Sequence, residues 1–321
     1  MVRRTRKLFI VTISLLTFVF IFLKLSAYCQ KYVYLLPNGK ASTLHLNLQE
    51  MEASSGSSTS SQTKSKIPKI IHQIWKDENI PDKWSVSVNS CRTQHPEEDG
   101  WTVKLWTDEM ALSFMETNYQ WFMPIYHSYP YDIQRFDAVR YFIVYHYGGV
   151  YMDLDVGCKK SMDPLLDEAT FLLPITDPIG YSNDWFAATP RHAFLYKVIT
   201  SLSKFNHRYF TKYPTVLLST GPLFFSFIFC QYLSESHSKV RTLPPALYGN
   251  GPVSFFSHVH GSSWHGSDAS AYFWMQSHIL YVFISIFVCI LLLLFLSVKF
   301  FAAQRRNRSN HRREMQQELY P

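Results

Sequence analysis

RFDAVRYFIVYHYGGVYMDLDV, residues 135–156, is the stretch from which the rest of the chain is best read. Ile133, Phe136, Val139, Ile143 and Tyr147 recur at intervals of three and four, which predicts a helix over Asp132 to Tyr147 with these residues on a buried stripe. Gly148-Gly149 stops that helix, and Val150-Tyr151-Met152 predicts a short strand. The strand runs straight into Asp153-Leu154-Asp155, so two carboxylates emerge where α/β sheets place their ligand sites. A turn at Leu154 lets both reach one cation, and their hard oxygens suit Mg²⁺ or Mn²⁺ carrying a diphosphate. Upstream, Arg135 precedes Asp137 and Arg140, whose spacing of three puts that pair on one helical face. Alone, such a D-x-D is commonly a solvated turn, and such an ion pair commonly sits on the surface. Together they bring charged groups from a helix and from the next strand towards one sheet edge.

Strand and helix patterns alternate around this stretch. IPKIIHQIW, from Ile67, has the pattern of an entering core strand, and VKLWT at 103–107 of a second. Residues 82–95 predict a helix between them, and Asp108 to Asn118 another, capped by Thr107 or Asp108. This alternation predicts a three-layer α/β domain with a largely parallel sheet and no internal repeat.

The formal charge of +7 is concentrated at the ends. Residues 1–29 hold five Lys/Arg and residues 277–321 hold six against two Glu, leaving 20 basic and 22 acidic residues between. A near-neutral middle excludes nucleic acid as a partner, because phosphate binding requires clustered cations on the binding domain. Leu8 to Tyr28, preceded by Arg3, Arg4, Arg6 and Lys7, has the length of an uncleaved membrane anchor. Ile279 to Ala303, followed by Arg305, Arg306, Arg308, Arg312 and Arg313, predicts a second span. The positive-inside rule then places both termini in the cytosol and the middle in the lumen. The expected organisation is a cytosolic tail (1–7), an anchor (8–28), a stem (29–66, Ser-rich over 53–65), a catalytic domain (67–275), a span (279–303) and a basic cytosolic tail (304–321). The stretch Tyr272-Phe273-Trp274 sits where an interfacial aromatic belt is expected. With Cys29 and Cys289 in or beside apolar segments, Cys91, Cys158 and Cys230 lack metal-site spacing. One pair among them can bridge in an oxidising lumen, but buried free cysteines are the blander expectation, with Cys158 a packing residue.

R-x-D-x-x-R-Y at 135–141, G-G-V-Y-x-D-x-D at 148–155 and I-H-Q-I-W at 71–75 together resemble the DXD sugar transferases of family 32, in particular the fungal inositol phosphoceramide mannosyltransferase catalytic subunits. Asn183-Asp184, Ser219-Thr220-Gly221-Pro222 and Gly261-Ser262-Ser263-Trp264-His265-Gly266 extend the resemblance, which covers about residues 67–268. It implies a glycosyltransferase-A-type fold, GDP-mannose as nucleotide-sugar donor, retention of anomeric configuration and inositol phosphoceramide as lipid acceptor. By position it implies that Asp155 binds the cation directly, that Asp153 contacts the cation or donor ribose, and that Asp137 and Arg140 hold donor sugar and phosphate. Trp75 would border the base, with Asn183, Asp184 and Trp264 also on the donor. A histidine among His258, His260 and His265 would complete the metal site. Val259 separates His258 from His260 where related sequences carry adjacent histidines, and His260 is the choice made here. The resemblance further implies a Golgi or endoplasmic reticulum membrane and a separate multispanning regulatory subunit.

Departure of a diphosphate calls for a cation and a guanidinium, tasks that fit Asp153, Asp155 and Arg140. Retention allows front-face attack, with the leaving phosphate taking the proton, or a covalent intermediate, for which Asp184 is the available carboxylate. A span that begins soon after Trp264 keeps the expected site near the bilayer and favours a lipid acceptor. The rivals are a relative using another nucleotide sugar on protein-linked glycans or glycolipid, and a non-catalytic membrane scaffold regulating a transferase. The one N-x-S/T match, Asn307-Arg308-Ser309, falls in the expected cytosolic tail. The full chain should therefore migrate identically on a gel before and after endoglycosidase treatment, and a glycosidase-induced shift would contradict the topology.

Overall fold

The computed structural model describes residues 66–176, 180–235, 240–259 and 266–278, the strand Thr43–His45 and parts of 281–306. Two compact units divide between Trp264 and His265. In chain order the first contains β1 (Thr43–His45), β2 (Ile70–Ile74), α1 (Asp82–Gln94), β3 (Thr102–Trp106), α2 (Asp108–Asn118), α3 (Met123–Ser128), α4 (Asp132–Tyr147), β4 (Gly149–Met152) and β5 (Val156–Cys158). It continues through α5 (Asp163–Leu166), β6 (Phe171–Pro174), β7 (Trp185–Ala188), α6 (Ala193–Phe205), α7 (Lys212–Ser219), α8 (Pro222–Glu235), β8 (Val240–Leu243), α9 (Pro245–Tyr248) and β9 (Phe256–His258).

Seven strands form one sheet in the order β1-β8-β6-β7-β4-β2-β3, and β5 pairs with β9 in a separate antiparallel ribbon. β1 with β8, β8 with β6, β4 with β2 and β2 with β3 run parallel, while β7 opposes both its neighbours. The largely parallel sheet expected from the sequence is therefore present, with β7 reversed. β1 lies inside the stretch expected to be stem, and Thr43 pairs with Val240.

The inner strands β4, β6 and β7 are buried on both faces, as the interior of a covered sheet requires, while the edge strand β3 is largely half-buried. Tyr151, Phe186 and Leu173 face a core built with Phe142, Leu195 and Phe225 of α4, α6 and α8. Their strand neighbours Val150, Met152, Trp185 and Leu172 face a second core with Cys91, Leu165 and Leu247 of α1, α5 and α9. That is the three-layer arrangement. α2 begins where expected, with the Thr107 hydroxyl accepting from the Met110 N–H at 3.2 Å.

α4 has the expected limits but not the expected stripe. Ile133 and Phe136 are half-buried and Tyr147 is 36% exposed, whereas Ala138, Tyr141, Phe142 and Val144 are buried. The helix packs against β2, β4, α6 and α7, so its burial extends around most of its circumference and includes Gln134, Asp137 and Arg140. The chain turns from α4 into β4 at two glycines. Gly148 has φ +69°, and a Cβ there would lie 2.6 Å from Pro190 Cδ. Gly149 has φ +91°, with Ile70 O only 2.5 Å from an added Cβ. Beside them, His72 Nε2–H donates to the Gly148 carbonyl at 2.9 Å and Nδ1 accepts from Trp106 Nε1 at 3.2 Å. Burial pushes the His72 pKa down to about 4, so the ring is a neutral strut between β2, β3 and the helix stop.

The cysteines correct the sequence reading. Cys91 of α1 and Cys158 of β5 form a disulfide, with Cα atoms 4.6 Å apart and a sequence separation of 67. They meet because α1 packs on β5, a contact between distant segments that no local pattern reveals. In the chain-entropy account, closing so long a loop contributes about 4 kcal/mol. Cys230 is buried and Cys289 exposed.

In the second unit, α10 (Ser267–Ser277) exposes Phe273 and Trp274, the latter stacked on His278 at 4.8 Å. The helix Val288–Arg306, 19 residues of mean hydropathy 1.9, is long and apolar enough to cross a membrane and is unburied. The expected anchor at 8–28 lies outside the described residues. Lys212–Glu235 has a similar composition but is 67% buried, as a core segment is.

Gly149→Ala should lower stability by about 2 kcal/mol or more, because it combines a left-handed backbone with a clash against main chain. Thermal melts of wild type and variant will measure it, and an unchanged midpoint would refute the role given to this glycine.

Candidate active site

β2 and β4 are parallel neighbours, so Trp75 and Asp153 leave the sheet at the same edge. β7 runs antiparallel to β4, so Asp184, which precedes it, arrives at that edge from the other direction. The Asp153 N–H donates to the Asp184 carbonyl at 2.8 Å, and the Val156 N–H closes a turn onto the Asp153 carbonyl at 3.1 Å. Leu154, at the centre of this turn, is buried against Trp84 and Val88 of α1 and against Trp75. With Leu154 anchored inward, Asp153 and Asp155 line an open cleft of about 620 Å³.

Its charged floor is built on α4. Arg140 Nη2 lies 3.1 Å from Asp137 Oδ1, Nη1 lies 3.4 Å from Asp153 Oδ1, and Nη1 donates to the Asn183 carbonyl at 2.9 Å. Asp137 and Arg140 are each only 4% exposed, so the pair is interior and the surface ion-pair reading does not hold. Asp137 also accepts from Thr220 Oγ1 at 3.1 Å and from Asn183 Nδ2 at 3.2 Å. Asn183 Nδ2 donates in addition to Tyr141 Oη at 2.9 Å, and Tyr141 donates to the Thr220 carbonyl at 2.7 Å. Burial works against the Arg140 charge, but Asp153, Tyr151 and Asp137 together raise its pKa above the usual value. Burial raises the Asp137 pKa against the opposing pull of Arg140, Thr220 and Asn183.

Asp153 takes a further hydrogen bond from the Tyr151 hydroxyl at 2.5 Å, and the Arg140 guanidinium lies 4.6 Å from the Tyr151 ring centre. Asp184 accepts from the Tyr248 hydroxyl at 2.6 Å and from the Ser182 hydroxyl. Asp153, Asp155 and Asp184 thus share one cleft. Burial, partly offset by Arg140 and added to by Asp184, lifts Asp153 to about 6. Burial, then Asp153 and Asp184, lift Asp155 to about 7.

This region carries the match to a known family. Residues 81–172 match the glycosyltransferase sugar-binding region containing the DXD motif. Inositol phosphoceramide mannosyltransferase 1 of Schizosaccharomyces pombe is 63% identical over 257 residues, 80% of this chain and 81% of that one. The chain belongs to the DXD-containing glycosyltransferases. Mannosyl phosphorylinositol ceramide synthase SUR1 of Saccharomyces cerevisiae is 46% identical over 217 residues, 67% of this chain and 56% of that protein. Inositol phosphoceramide mannosyltransferase 2 of Schizosaccharomyces pombe is 40% identical over 230 residues, 68% and 64% of the two chains.

As a DXD glycosyltransferase the protein uses a nucleotide-sugar donor and a divalent cation, and the cleft fits both. Burial resists the ionisation of Asp153 and Asp155, a cost that a divalent cation relieves, and carboxylate oxygens are the donors Mg²⁺ and Mn²⁺ prefer. Among the described residues no three His, Cys, Asp or Glu side chains close around a common metal position. Of the residues expected at the site, Trp75, Asp137, Arg140, Asp153, Asp155, Asn183 and Asp184 all line this cleft. Trp75 is half-buried, edge-on to Trp84 at 4.7 Å, and so is part of the cleft wall. Arg135 is turned elsewhere, donating to the Tyr129 carbonyl at 2.7 Å and pairing with Asp132. His258 Nε2 lies 2.6 Å from the Tyr248 carbonyl and does not line the cleft, although the neighbouring Val259 N–H donates to the Asp155 carbonyl at 2.9 Å. His260, Trp264 and His265 lie outside the described residues. The sequence reading assigned no role to Tyr151, Ser182, Thr220 or Tyr248. Tyr151 and Thr220 carried a signal, standing in the motifs at 148–155 and 219–222.

Raised carboxylate pKa values mean that the folded chain binds more protons than the unfolded one. The contribution of Asp153 and Asp155 to stability therefore falls as pH rises from the ordinary carboxylate range through about 6 and about 7. His72 and His192, depressed by burial, act in the opposite direction, so the comparison must be with a variant lacking the acids. In chelator, the melting temperature of wild type should drop relative to Asp153→Asn/Asp155→Asn between about pH 5 and about pH 8, and Mn²⁺ should remove the drop. A constant difference across that range would contradict the electrostatic account of the cleft.

Proposed function

We propose that this enzyme transfers mannose from GDP-mannose to the inositol headgroup of inositol phosphoceramide, with retention, at the lumenal face of a Golgi or endoplasmic reticulum membrane. Identity extending along most of both chains to a mannosyltransferase named for that lipid carries the reading. The Cys91–Cys158 disulfide supports an oxidising lumen. The apolar helix Val288–Arg306 supports attachment to the bilayer that holds the acceptor. Orientation of the two expected spans, and a multispanning regulatory partner, belong to the same proposal.

Asp153 and Asp155 would hold the cation, joined by His260 in the reading made from sequence, and the cation supplies charge neutralisation for the departing diphosphate. The remaining work falls to the chain's own groups. Arg140, braced by Asp137, offers a guanidinium at the position where negative charge develops, and it is held in place before substrate arrives. Tyr151 and Arg140 orient Asp153. Trp75, Trp84 and Leu154 provide an apolar wall against which a base can lie. Asp184 already accepts two side-chain hydrogen bonds, which lowers its strength as a nucleophile. That favours front-face attack by the acceptor hydroxyl, its proton passing to the leaving phosphate.

Asp155→Ala should abolish transfer while the fold persists, since it removes a partly exposed ligand and opens no cavity in the core. Chelation should abolish transfer reversibly. Lipid extracts of cells lacking the chain should lose the hexose from an inositol sphingolipid, and cells expressing Asp155→Ala should not regain it. An unchanged lipid profile in the deleted cells would overturn the acceptor assignment.

A further inference from the structure

From Trp185 to Ser234 the chain carries Arg191, Lys197, Lys204, Arg208 and Lys212 and neither Asp nor Glu. Lys197 is paired with Glu235 at 2.5 Å, but among the described residues Lys204, Arg208 and Lys212 take part in no ion pair. Lys204 and Lys212 flank the loop 206–211 between α6 and α7, and Arg208 lies within it. At the tip of that loop Phe210 is fully exposed, at 106%, and Tyr209 is 37% exposed. A phenylalanine with no burial forgoes a large apolar stabilisation unless something outside the domain covers it.

The loop is fastened at several points. The Tyr209 N–H donates to Thr215 Oγ1 at 3.0 Å, and the Thr215 hydroxyl donates to the Thr211 carbonyl at 2.6 Å. Asn206 Nδ2 donates to Ser128 Oγ at 2.7 Å, tying the loop to α3. Phe210 is therefore displayed by hydrogen-bonded structure. Lys212, two residues on, is half-buried and lines the catalytic cleft beside Asp132 and Pro222, with Nζ 6.0 Å from the Tyr131 ring centre. Along the chain, the lysine on the cleft wall is thus preceded by two exposed aromatic rings and two exposed cations, and residues 204–212 contain no acid.

We infer that loop 206–211 is a bilayer-docking rim: Phe210 and Tyr209 enter the headgroup region of an anionic leaflet, Lys204 and Arg208 meet its phosphates, and Lys212 receives the phosphodiester of a lipid acceptor at the cleft mouth. The inference rests on the proposed lipid acceptor and adds the surface that delivers it. Aromatic rings flanked by Lys and Arg are the composition that settles at a bilayer interface. A loop segment that carries Lys and Arg and no acid of its own complements the negative charge that inositol phospholipids give a leaflet.

The test uses the full chain carrying Cys29→Ser and Cys289→Ser, which leaves the bridged pair and the buried Cys230. Phe210→Cys in this background is labelled with an environment-sensitive dye and reconstituted in phosphatidylcholine vesicles with or without about 30 mol % phosphatidylinositol. The same dye on Glu98→Cys, in an exposed acidic turn, serves as control. The dye at position 210 should shift to the blue and be quenched by spin-labelled lipid, more strongly in anionic vesicles, while the control stays aqueous. A water-like dye at position 210 in every vesicle would overturn the inference. So would a shift that follows protein concentration and not lipid charge, since a second copy of the chain would then cover the loop.

Activity supplies a second arm. Arg208→Ser/Phe210→Ser should raise the KM for bilayer-borne inositol phosphoceramide about tenfold, while acceptor-independent donor hydrolysis is unchanged. An unchanged KM would count against the rim. If the wild-type chain transfers nothing to that lipid, the acceptor assignment falls, and the dye alone decides whether the loop meets the bilayer.

Discussion

A guanidinium held in the interior of the domain is the constraint on which the site depends. Arg140 is 4% exposed and cannot lose its proton, so the protein must surround it with acceptors. It does so with Asp137 from its own helix, Asp153 from the tip of β4 and the Asn183 carbonyl from the approach to β7. One cation thereby locks together three segments distant in sequence. A buried ion pair of this kind contributes little net stability, since desolvation offsets the attraction, but loss of one partner strands the other. Its benefit here is positional: guanidinium and carboxylates stand in fixed places at the cleft before any ligand binds.

The acidic turn is held from the opposite side by apolar contacts. Leu154 seats it against Trp75, Trp84 and Val88. The Cys91–Cys158 bridge clamps the strand that follows to α1. Asp153 and Asp155 are thus fixed between a charged floor and an apolar wall. That geometry keeps carboxylates close together despite their repulsion, and burial and mutual repulsion together raise their pKa values.

The same cleft has a polar and an apolar approach. Trp75 lies at the end of β2 and Lys212 at the start of α7, and both line the cleft. A nucleotide and a lipid headgroup make different demands, one for a flat apolar wall and one for a cation beside a membrane-compatible surface. The exposed rings of loop 206–211 adjoin the second.

Local pattern alone determined the limits of α4 and of α2, the glycine stop and the emergence of Asp153 and Asp155 from a strand, because each follows from periodicity, backbone sterics or capping within a few residues. The resemblance to the DXD family also implied Asp137, Arg140, Asn183, Asp184 and Trp75 as donor residues, and these five line one cleft. Only the tertiary structure decided that Asp137 and Arg140 are interior, that Tyr151 and Tyr248 hold the acids, that β7 runs backwards and that Cys91 meets Cys158. These depend on contacts between segments tens of residues apart, and neither the spacing of residues nor their type records which distant neighbour folding will bring alongside.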